Sequence, residues 1–222
     1  MVAFNRFLGP AETRAGGAAA LEGMLPRPAT AAELIAVTDD RYLSQMSLRI
    51  FSAGLRHDMV QKKWPAFESA FHGFDPRRVA AMSEAEIDRC LSDPSLIRHG
   101  GKLLAVVANA RAVNAVSSDH GSFGRWIAEW PERDIVGLWE RLVKDFKQLG
   151  GNSGPYFLRT VGKDTFIVTE DVTKALVSAG IVTRKPTGKK DLRTVQDAFN
   201  GWMEETGRPL CQLSRILALS VG

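Results

Sequence analysis

Apolar residues recur at helical spacing along most of this chain and alternate nowhere for the length of a strand. Tyr42, Leu43, Met46, Ile50 and Phe51 share one helical face. Met59, Val60, Trp64, Phe67 and Phe71 make a second stripe, broken by Pro65, and 96–116 carries a long third one. Phe166-Ile167-Val168 and Ile181-Val182-Thr183 have strand-forming residues, yet each run is too short to build a sheet. The chain therefore reads as all-α, with about nine to eleven helices and short connections. Start signals agree. Thr30 suits the cap of a short helix over 31–37, Thr38 or Asp39 that of a stronger one towards Ser52, and Ser83 with Glu86 is a capping box. Residues 1–30, rich in Gly, Ala and Pro, read as an irregular arm. The 222 residues suffice for a single domain of two helical lobes flanking a cleft.

Charge and cysteine usage narrow the partners. A formal charge of +4 permits a polyanion without requiring one. Cys90 and Cys211 stand alone, with no CxxC or His-Cys cluster, which argues against a disulfide scaffold or a zinc site and for buried thiols in a reducing compartment. No run reaches the roughly 18 apolar residues of a bilayer span. Residues 15–20 are Ala/Gly-rich but lack the basic start and apolar core of a secretory leader. The expectation is a cytoplasmic protein with no cofactor, no membrane and no obligate protein partner.

The segment Leu149-Gly150-Gly151-Asn152-Ser153-Gly154-Pro155-Tyr156 lies between two helical stretches. A Gly-rich hairpin there, within about 138–162, exposes backbone N–H groups at the start of the second helix, and donors with a helix dipole suit a phosphate. Gly150, Gly151, Asn152, Ser153 and Gly154 are thus candidate DNA contacts. A plain helix–helix connection is the alternative. Lys163, Lys185, Lys189 and Lys190 are cations that reach phosphates or simply sit in solvent.

Upstream, Ser52-Ala53-Gly54-Leu55, Lys62-Lys63, Phe71-His72-Gly73-Phe74-Asp75-Pro76, Val79-Ala80-Ala81-Met82, Leu96-Ile97-Arg98-His99-Gly100-Gly101-Lys102 and Ala108-Asn109-Ala110-Arg111-Ala112 follow one another in fixed order. This combination, over about 38–113, resembles the DNA-3-methyladenine glycosylase I family of the helix-hairpin-helix DNA glycosylase superfamily. The resemblance implies base-excision repair. On that resemblance, double-stranded DNA would be gripped by the hairpin, Gly54 would let Leu55 approach and wedge the duplex, and a damaged base would be flipped out and its N-glycosidic bond hydrolysed. Leu55 is otherwise a core leucine at a helix end. His99 and Lys102 are candidate DNA contacts or members of a solvated turn.

The chain departs from that pattern where chemistry is concerned. The position resembling the family's pocket acid is Arg49, and that resembling a pocket Trp is His57. The superfamily's catalytic Asp corresponds to Thr169, followed at once by Glu170 and Asp171. The base pocket is therefore expected at Arg49, His57 and Thr169, with Asp171 and Glu170 as candidate catalytic carboxylates that equally suit the first turn of a helix. No lysine stands where lyase members keep one, so water is the expected nucleophile. The family's Cys and His zinc ligands have no counterpart in the arm, and no metal is expected. The alternative is a catalytically altered or inactive relative that recognises distorted DNA.

Overall fold

The computed structural model describes residues 2–221. Among them the chain is all-α. Its helices are α1 (Asn5–Ala15), α2 (Ala18–Gly23), α3 (Ala31–Ala36), α4 (Asp39–Ser52), α5 (His57–Ala70), α6 (Pro76–Ala80), α7 (Glu84–Ser92), α8 (Gly100–His120), α9 (Phe123–Glu129), α10 (Ile135–Asp145), α11 (Ser153–Thr160), α12 (Glu170–Ser178), α13 (Lys189–Thr206) and α14 (Leu210–Ser220), with two short 3-10 turns. These divide into two compact units, one of Met1–Ala29, Pro131–Leu138 and Gly162–Gly222, the other of Thr30–Trp130 and Trp139–Val161.

In the first unit α1, α12 and α13 pack on α14. The irregular arm expected at 1–30 is instead helical over most of 5–23. Alanine is the best helix former, and the irregular backbone is limited to the Gly16-Gly17 break, where Gly16 takes φ +90 and closes α1, and to 24–30. Phe4 and Phe7 anchor the segment. Both rings meet Trp202, at 5.6 and 5.5 Å between centroids, and the Trp202 indole donates to the Val2 carbonyl. Asp164, buried, accepts from the N–H groups of Leu210 and Cys211, each at 2.8 Å, and so caps α14.

In the second unit α4 packs on α5, α8, α9 and α11. Capping boxes start α3 at Thr30 and α7 at Ser83. Phe51, Trp64, Phe67, Phe71 and Phe74 form one ring cluster, with Trp64 stacked on Phe67 and Phe74 at 5.0 and 5.3 Å. Pro65 does not break α5 as its sequence position suggests. Pro65 cannot donate to the Gln61 carbonyl, but both residues are exposed, and the buried Trp64 and Phe67 hold the turn in place.

Candidate nucleic-acid interface

The second unit carries most of the residues singled out by sequence. α4 ends at Ser52, and Gly54, at φ +79, turns the chain as a side-chain-bearing residue rarely does. Leu55 follows with 39 % of its surface exposed, so it is not a core leucine. The turn is held by Lys102, whose ammonium donates to the carbonyls of Phe51 (3.3 Å) and Ala53 (2.8 Å). Lys102 is buried, and burial, then the neighbouring Arg49, lowers its pKa below the ordinary lysine value. It is therefore a C-terminal cap of α4, not the DNA contact anticipated, because the last carbonyls of a helix are short of donors. His99 is exposed, and its Nδ1 accepts from the Lys102 N–H at the start of α8.

Arg49 lies on the last turn of α4. Its guanidinium carbon sits 4.7 Å from the centroid of the Tyr156 ring, on α11 just past the hairpin. The residue is half-buried, its Nε is buried with no hydrogen-bond partner, and burial lowers its pKa. Among the described residues no carboxylate pairs with it, and Lys102 adds a second positive charge nearby. His57 is exposed in the first turn of α5, with Nδ1 3.3 Å from the Ser52 hydroxyl and Nε2 3.2 Å from the Gln61 amide.

The hairpin connects α10 to α11. Two of the donors expected to face a phosphate are spent within it: Ser153 N–H donates to the Gly150 carbonyl and Gly154 N–H to that of Leu149, both at 3.1 Å. Pro155 has no N–H. Gly154 is buried, and a Cβ there would lie 3.0 Å from the Leu149 carbonyl oxygen, so Ser153 and Gly154 serve the turn itself. Gly150 and Gly151 are exposed at the tip, with open space where a Cβ would stand; Asn152 is half-buried behind them. Asn109, fully buried on α8, fixes the hairpin through the backbone of Lys147. Gly101, Leu104, Ala105 and Ala108 of α8, with Lys147 and Gln148, line a shallow groove of about 470 Å³ beside it.

The first unit holds the remaining candidates. Thr169 is the N-cap of α12, its hydroxyl accepting from the Val172 N–H at 3.2 Å. Glu170 and Asp171 occupy the first turn, with side chains 86 % and 49 % exposed and Lys174 at 3.9 and 3.2 Å. Lys163 is not available to a phosphate. It is 2 % exposed, with its ammonium 2.9 Å from Glu132, because a buried lysine needs a counter-charge. Lys185, Lys189 and Lys190 are exposed. Among the described residues no group of three or more His, Cys, Asp or Glu could hold a metal, and no helix is long and apolar enough to cross a membrane.

Sequence reasoning passed over two residues that organise this face. Tyr156 directly follows the Gly-Pro of the hairpin, and Asn109 is an uncharged polar residue between two alanines in the largely apolar run of α8. Each position was a readable signal.

Known proteins similar to this chain belong to one enzyme family. A methyladenine glycosylase family model matches residues 34–148. DNA-3-methyladenine glycosylase 1 of Escherichia coli (strain K12) is 43% identical over 76 residues, 34% of this chain and 41% of that protein. The chain thus spans about two fifths of the length of the curated relatives it matches. A crystal structure of a 3-methyladenine DNA glycosylase I superposes with a TM-score of 0.51 at 28% identity, covering 62% of this chain and 82% of the other. The 8-oxoguanine glycosylase/lyase of Methanocaldococcus jannaschii, solved with a 15mer DNA containing 8-oxoguanine, gives 0.52 at 11% identity over 97% of this chain and 87% of its own. That last likeness speaks for the fold alone.

Proposed function

Because the chain belongs to the methyladenine glycosylase family, we propose that it is a base-excision repair protein that binds double-stranded DNA and hydrolyses the N-glycosidic bond of a damaged, flipped-out base. The observation that carries this reading is Leu55, an apolar side chain left exposed on a turn fixed by Gly54 and Lys102. An exposed leucine on a rigid turn suits a wedge that fills the gap left by an extruded nucleotide. The Gly150-Gly151 tip, in the same unit, offers the close backbone approach a sugar-phosphate needs. In the reaction water adds to C1′ as the C1′–N bond breaks. The base leaves with the bonding electrons and takes up one proton of that water, and the sugar keeps the hydroxyl. Asp171, with Glu170 beside it, is the proposed carboxylate opposite the positive charge that develops on the sugar.

A second reading, a DNA-binding relative without chemistry, is favoured by one observation. Both carboxylates stand exposed in a helix first turn and pair with Lys174, a complete structural role in itself. Single-turnover release of bases from alkylated and deaminated duplexes separates the two. Release supports the enzyme. Salt-dependent DNA binding without release supports the relative, and absence of DNA binding at low salt removes both.

A further inference from the structure

We propose that the base this chain accepts is neutral and presents a carbonyl and a ring nitrogen as adjacent acceptors, as the 6-oxopurine left by deamination of adenine does, and that Arg49 is the residue that selects it. The inference rests on the glycosylase reading above and names the substrate class for it. Three features of the second unit converge. The Arg49 guanidinium lies over the Tyr156 ring, which satisfies its face and leaves recognition to the donors in its plane. No acceptor meets it among the described residues, and its Nε is buried without one. The other charged group acting on the same place is the cation Lys102, held on the Phe51 and Ala53 carbonyls one turn away. Arg49 therefore stands without a counter-charge, on the helix that runs into the exposed Leu55 turn and against the residue that leaves the hairpin.

Such a site repels a cationic base and attracts acceptor edges. A guanidinium matches the O6 and N7 pair of a 6-oxopurine with two parallel hydrogen bonds. The chemistry of bond breaking points the same way. A neutral base departs carrying the bonding electrons as negative charge, and a guanidinium placed at its edge stabilises that charge as it forms. An N3-alkylated adenine is already cationic in the nucleoside and departs neutral, so a positive pocket opposes its entry and gains nothing at its exit.

The test uses the full chain and four duplexes carrying one hypoxanthine, one uracil, one 3-methyladenine or no lesion. Binding at low salt and single-turnover base release are read for wild type, R49K, R49Q and R49E, each first shown by thermal melting to be folded. The expected result is a preference of at least about tenfold for hypoxanthine over undamaged DNA. R49Q loses that preference while keeping general DNA binding, R49K retains part of it, and R49E moves preference towards 3-methyladenine. Wild-type preference for 3-methyladenine, or an R49Q protein that still prefers hypoxanthine, overturns the proposal. DNA binding with no lesion preference overturns it and leaves a DNA-binding protein standing. Absence of any DNA binding overturns the glycosylase reading together with it.

Discussion

Asn109 holds Lys147 by both of its backbone groups, the carboxamide nitrogen donating to the Lys147 carbonyl at 3.1 Å and its oxygen accepting from the Lys147 N–H at 2.7 Å. The asparagine is fully buried on α8, and Lys147 opens the hairpin. A side chain that can both donate and accept is required here, because a loop segment has no helix partner for either group. Asn109→Ala strands two polar groups and is expected to cost about 2–3 kcal/mol. That lowers the melting temperature by about 5–10 °C for a chain of this size. Asn109→Asp keeps the acceptor and loses the donor, so calorimetry should place it between wild type and the alanine variant or below both, never at wild type.

Lys102 makes stability depend on pH. Burial and Arg49 set its folded pKa below the ordinary 10.5. Between the two values the unfolded chain binds more protons than the folded one, so this group's contribution rises with pH through that window, and below it the folded state carries the full cost of the buried charge. Lys102→Met removes the titration and the cap together. Urea midpoints measured from neutral pH up to 10.5 should show the wild-type advantage over the methionine variant growing with pH. A constant difference would mean that the ammonium is not desolvated.

Helical periodicity, the Thr30 cap, the Ser83 capping box and the Ala-Gly-Leu turn were readable because each depends on neighbours in sequence. α1 and α2 were not, since Ala/Gly-rich composition serves a helix or a linker equally well until Phe4 and Phe7 find Trp202, some two hundred residues away. Pro65 misled for a related reason: its cost depends on whether the orphaned carbonyl faces water, which local sequence does not specify. Lys102 and Lys163 looked alike as cations, yet one closes a helix end and the other answers Glu132. The pairing of Arg49 with Tyr156 joins residues more than a hundred positions apart, and only packing of α11 on α4 reveals it.

Leu55 separates function from stability. At 39 % exposure it contributes little to the core, so Leu55→Ala should change unfolding free energy by no more than about 0.5 kcal/mol. Loss of a wedge leaves the gap of a flipped nucleotide unfilled, and binding to a lesion duplex should fall by about tenfold, with binding to undamaged DNA nearly unchanged. Fluorescence anisotropy on the two duplexes measures the ratio. An equal loss on both would make Leu55 a general contact, and no loss on either would remove it from the interface.

Asp171 carries the opposite expectation to a helix cap. As a first-turn acid paired with Lys174, it contributes about 0.3–1 kcal/mol to α12, and Asp171→Asn should lower stability by no more than that. As the carboxylate opposing charge on the sugar, its loss should slow base release by about a hundredfold or more while DNA affinity stays constant. The two roles are separable because the amide is isosteric and its oxygen still accepts from Lys174, whereas a neutral group does little for a cationic sugar. Glu170→Gln is the internal comparison: 86 % exposed, with Lys174 at 3.9 Å, it should leave the rate within about twofold if Asp171 is the group at work. Unchanged release in the Asp171 variant, measured in single turnover on a duplex the wild type cleaves, would move the catalytic carboxylate elsewhere in the chain.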